Sequence, residues 1–103
     1  MSCLSDMLVR MKNTPDGAGN LLDNTAVYTT SCCSEAPTHS GIDFPLLVSG
    51  KAGGKLKGDT HVRLVGDNVS KVPYTLLTAY GGTAKSYGLG DSMTTGVIAE
   101  LLA

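Results

Sequence analysis

The octapeptide NTAVYTTS, residues 24–31, decides the fold. Its valine, tyrosine and run of threonines are β-branched or aromatic side chains, which suit a pleated, half-buried surface, so a strand is predicted over 24–31. Further on, FPLLVS (44–49) is a short continuous apolar run. Such a run predicts a strand buried on both faces, with Pro45 at its first position or at an edge. A weaker alternation in HVRLV (61–65) suggests a third strand.

Helical spacing flanks these strands. Leu4, Met7, Leu8 and Met11 fall at i, i+3, i+4 and i+7 and predict an amphipathic helix over 3–13, its methionines packing in the core. Ser2 is its candidate N-cap, and NTPDGAGN (13–20) stops it. A second helix is expected from a Ser70 cap, with Pro73 in its first turn and Gly81-Gly82 beyond its end. Its Val72, Leu76, Leu77 and Tyr80 keep the helical period. A third is read over 93–102 from Val97, Ile98, Leu101 and Leu102, against the helix-weakening Gly96. The expected class is α/β: a partial sheet of about three strands flanked by helices. So few strands make a poor independent sheet, so residues 1–103 read as a single segment, one side of a larger α/β domain.

Composition narrows the function. Hydrophobic residues are 42% of the 103 and the net charge is −1, which is globular and gives no electrostatic case for nucleic acid. Apolar runs are too short for a membrane span. The start, MSCLSDMLVRMKN, lacks the order of a signal peptide, so the chain as written is expected in the cytoplasm. Its odd cysteine count, with Cys32 and Cys33 adjacent, is no disulfide framework and favours reduced thiols.

Chemistry-bearing side chains gather between the two main strands, where Cys32, Cys33, Glu35 and His39 lie within eight positions. Neighbouring cysteines on a strand point to opposite faces and rarely share an ion, so a structural zinc module is disfavoured. His39 stands out, because it follows a strand's carboxyl end, where α/β sheets bind ligands. It is a candidate metal ligand, with Cys32 second, or else the base beside a nucleophilic cysteine. The loop SGKAGGKLKG (49–58) fails as a nucleotide-phosphate loop. Ser49 replaces its first glycine, and Leu56 stands where a hydroxyl residue must reach magnesium. GLGDSM (88–93) lacks the third glycine of a dinucleotide fingerprint. NVS (68–70) matches a glycosylation acceptor, a triplet common by chance.

LLDNT leading into a strand, then HS before PLLVSGKAGGKLK, then VPYTLLTAYG and GDS, follow in one order across nearly the whole chain. Together they resemble the C-terminal part of the bacterial domain-of-unknown-function family fifteen-fifty-two. That family is mostly secreted and is similar to the alkaline phosphatase and sulfatase superfamily. The resemblance implies an alkaline-phosphatase-like sheet and a secreted or periplasmic parent protein. It matches Asp23-Asn24-Thr25 to the opening of a strand, His39-Ser40 to a metal-binding histidine, and Cys32-Cys33 to the superfamily's metal-ligating Asp-His pair. Thiols in that place would change a hard-oxygen site. The nucleophile and remaining ligands belong to regions N-terminal to the part resembled here. Two readings follow. One is a non-catalytic C-terminal segment that needs no cofactor, its partner the remainder of the parent domain, prone to self-association when isolated. The other is part of a hydrolase of phosphoric or sulfuric esters that uses a divalent metal only in the full-length protein.

Overall fold

The computed structural model describes residues 2–34, 37–38 and 43–103. It is mixed α/β: two helices and two small antiparallel two-stranded sheets among those residues. Helix α1 spans Ser2–Lys12. Strands β1 (Pro15–Asp16) and β2 (Gly19–Asn20) form a miniature hairpin. Its two-residue loop begins at Gly17, whose φ of 61° favours glycine. What reads in sequence as a helix stop is therefore a turn with its own ladder.

β3 (Val27–Thr30) pairs antiparallel with β4 (Leu46–Ser49), Val27 facing Ser49 and Thr30 facing Leu46. This corrects the expectation of a strand buried on both faces. Leu46 and Val48 are half-buried, whereas Leu47 between them is 43% exposed. Antiparallel pairs commonly bury one face only. The expected strand over 61–65 does not form. Val62 is half-buried, but Leu64 and Val65 are exposed and a turn at Leu64–Asp67 follows. Among the described residues no strand edge pairs with it.

Helix α2 spans Lys71–Ala79. Its N-terminus is held by Asn68, whose side-chain oxygen accepts the Ser70 N–H at 3.0 Å, while the Ser70 hydroxyl makes no cap. Its C-terminus is a Schellman arrangement: Gly82 N–H donates to the Leu77 carbonyl and Gly81 N–H to the Thr78 carbonyl, both at 2.9 Å. Gly81 has a φ of 82°, the left-handed conformation this stop requires.

The helix expected over 93–102 is absent. Thr94 instead bridges to Tyr87, and residues 99–101 make a single 3-10 turn. The β-branched Thr94, Thr95, Val97 and Ile98 around Gly96 outweigh the apolar spacing. Leu102 then bridges to Leu56.

The core is small. Ala52, Leu56 and Ala79 are buried together, with Ala26, Val48, Leu76 and Leu102 packed around them. α1 contributes no buried residue, which corrects the reading of its methionines as core: Met7 is exposed and Leu4, Leu8 and Met11 are half-buried.

Candidate functional site

Two stretches singled out by sequence, Cys32-Cys33 and the glycine-rich loop, lie at opposite ends of the β3–β4 pair. Residues 32–33 follow the end of β3, and residues 50–54 follow the end of β4, which is antiparallel to it. Four residues of strand separate them, on the order of 10 Å.

At the glycine-rich end, backbone hydrogen bonds engage the amides of 51–57. The N–H groups of Lys51, Ala52 and Gly53 donate to the carbonyls of Leu22, Thr25 and Asp23. Gly54 and Leu56 N–H donate to the Lys51 carbonyl, Lys55 to Ala52, and Lys57 to Leu101. Seven consecutive amides are thus satisfied by the chain itself. A phosphate cradle needs such amides turned outward, and those of 51–57 are already engaged by the chain. Gly50 is the hinge: its φ is 96°, and a Cβ there would lie 2.0 Å from the Thr25 carbonyl oxygen.

The LLDNT turn is the other half of this clasp. Asp23 accepts the Asn20 N–H at 3.1 Å, while Asn20 accepts the Asp23 N–H at 2.9 Å. The Lys51 ammonium stands 3.2 Å from the Asp23 carboxylate. The Asn20 amide first, then Lys51, hold the Asp23 carboxyl below its ordinary value. Tyr80, at the end of α2, donates to the Asn24 carbonyl at 3.0 Å. The motif that suggests the opening of a catalytic strand therefore joins three segments of the fold. A crevice of about 600 Å³ lies over this junction, lined by Asn24, Gly53, Lys55, Tyr80 and Leu102 among others. The Asn24 side-chain amide is already donated to Asp16.

At the other end, Cys32 is exposed and Cys33 is buried. Their sulfurs are 3.7 Å apart and unbonded. This corrects the expectation that adjacent cysteines turn away from each other. That expectation holds for extended strand, whereas β3 ends at Thr30 and residue 32 is a bend. The hydrogen bond shared with Cys32, then burial, raises the Cys33 thiol above its ordinary value. His39 and Glu35 lie outside the described residues. Among the described residues no three of His, Cys, Asp and Glu come together as a metal group. Asp91 and Ser92 of the GDS motif sit in an exposed 3-10 turn.

One polar residue that sequence reasoning missed organises the C-terminal half. Thr75 is fully buried in α2; its hydroxyl donates to the Lys71 carbonyl and accepts the Ile98 N–H. Tyr74 is also buried, with its hydroxyl on the Ala84 carbonyl.

No family model, curated protein or solved structure matches this chain.

Proposed function

We propose that this chain is the C-terminal segment of a larger α/β domain related to the alkaline phosphatase and sulfatase superfamily, with a structural and partner-binding role and no catalysis of its own. The observation that carries the reading is the surface. The chain exposes 7068 Å². A folded monomer of 10.6 kDa is expected to expose about 5,500 Å². The excess, roughly 1,600 Å², is about twice what each partner gives to a standard protein–protein interface. Apolar side chains share it: Tyr28 and Leu47 on the β3–β4 pair, Met7 and Val9 on α1, and Val65 and Leu89 in loops. The Cα radius of gyration agrees, at 14.7 Å against roughly 13 Å for a compact chain of this length. The ordered motifs LLDNT, HS, PLLVSGKAGG and GDS support the proposed parent by resemblance.

Light scattering and urea denaturation test this. The isolated chain is expected to self-associate and to unfold over a broad range. The chain extended by its upstream coding sequence is expected to be monomeric with a steep transition. A steep, cooperative, monomeric transition from residues 1–103 alone would overturn the proposal. So would turnover of an aryl phosphate by the isolated chain that both a chelator and His39→Ala abolish.

A further inference from the structure

We propose that Cys32 and Cys33 form a two-thiolate chelating site for a soft, thiophilic metal ion of the zinc–cadmium type. Sulfur spacing is the primary observation. Two thiolates each about 2.3 Å from one tetrahedral ion stand about 3.8 Å apart. The Cys32 and Cys33 sulfurs are 3.7 Å apart. A disulfide, by contrast, needs about 2.05 Å. The pair is thus spaced as one edge of a thiolate coordination shell and would have to close by more than an ångström to oxidise.

Three further features fit a chelator. The bend after β3 turns both side chains to one side, which an extended strand cannot do. Cys32 is exposed, giving an ion a path in, while Cys33 is only 8% exposed, so one arm is held by its surroundings. The Cys33 N–H rests on the Ser31 hydroxyl at 3.5 Å, within the same bend. Thiolates select soft ions over magnesium or calcium, which prefer oxygen. The hard-metal chemistry suggested by the family resemblance is therefore not what this position serves.

The binding step is a ligand exchange. Each thiol gives its proton to solvent, two metal–sulfur bonds form, and two waters leave the ion. Nothing is oxidised or reduced. The remaining coordination positions stay with water or an exogenous ligand.

Cadmium alone is the probe, added to the folded chain under a phosphine reductant. The readout is thiolate-to-cadmium charge-transfer absorption. One ion per chain is expected, bound equally by Cys3→Ser, and undisturbed by excess magnesium. Cys32→Ser and Cys33→Ser should each weaken binding by about 100-fold or more. Binding in urea should be at least about tenfold weaker than in buffer, because the spacing belongs to the fold. Equal affinity in urea would overturn a fold-built site, as would full binding by Cys33→Ser, or loss of binding in Cys3→Ser. A freshly reduced chain that binds no cadmium would also end the proposal.

Discussion

The Ile98 N–H donates to the Thr75 hydroxyl at 2.9 Å, joining α2 to a segment 23 positions further along. Thr75 has no exposed surface, and its own proton goes to the Lys71 carbonyl. Replacing the hydroxyl with a methyl keeps the volume and leaves the Ile98 amide buried without a partner. Thr75→Val is expected to cost about 1–3 kcal/mol, whereas Thr75→Ser, which retains the oxygen, should cost about 1 kcal/mol. Urea denaturation of the three chains checks this. Equal midpoints for Thr75→Val and the parent chain would show that the amide finds another acceptor.

A sharper contrast comes from two glycines three positions apart. At Gly50 a Cβ would strike the Thr25 carbonyl oxygen, backbone that itself accepts the Ala52 N–H. At Gly53, also left-handed with φ 68°, a Cβ meets nothing within 4 Å. Gly53→Ala should therefore carry only the left-handed penalty, about 1–2 kcal/mol. Gly50→Ala carries that penalty and also breaks the clasp between 22–25 and 50–53. It is expected to lose more of the folded circular-dichroism signal than Gly53→Ala does. A smaller loss for Gly50→Ala than for Gly53→Ala would show that the clasp is dispensable.

These positions show what was legible in the sequence. α2 was, because its apolar residues keep the helical period and Gly81-Gly82 encode the Schellman stop where it ends, although Asn68 and not the expected Ser70 hydroxyl holds its start. β3 was legible from its β-branched run, and the pairing of Leu46–Ser49 with it is consistent with the mixed α/β class. The exposure of Leu47 was not, because an apolar run says nothing about which neighbours cover it. Residues 93–102 misled because apolar spacing fits a helix while the β-branched residues around Gly96 do not. Thr75 was invisible, since a threonine in a helix reads as surface until a distant amide is seen to need it. The LLDNT and glycine-rich motifs were legible as motifs, but their mutual hydrogen bonding emerges only in three dimensions.

Acid should loosen the chain at two carboxylates. Lys71, 2.9 Å away, and then the Asn68 amide hold Asp67 below its ordinary value of 3.8. Asp23 is lowered likewise by the Asn20 amide and then Lys51. A carboxyl depressed in the folded state contributes stability above its unfolded value. That contribution fades as pH falls through about 4 and is gone below the folded value. The urea midpoint is expected to drop over this window. The gap between the parent chain and Asp67→Asn should be present at neutral pH and close in acid. A gap unchanged below pH about 3 would mean that Asp67 acts through packing and not charge.

The three thiols are expected to react at different rates. Thiolate is the attacking species, so access and proton retention both slow a cysteine. Cys3 and Cys32 are exposed, whereas Cys33 is buried and its thiol is raised by the Cys32 hydrogen bond and by burial. An irreversible alkylating agent is the right probe. A disulfide reagent would leave Cys32 as a mixed disulfide 3.7 Å from the Cys33 sulfur, open to attack by it. In buffer near pH 8, iodoacetamide followed by peptide mass spectrometry should show Cys33 modified at least about tenfold more slowly than Cys3 and Cys32. In urea the three rates should converge, which separates the effect of the fold from that of the neighbouring thiol. Cys33 alkylated as fast as Cys32 in the folded chain would place both sulfurs in solvent, contrary to the structure.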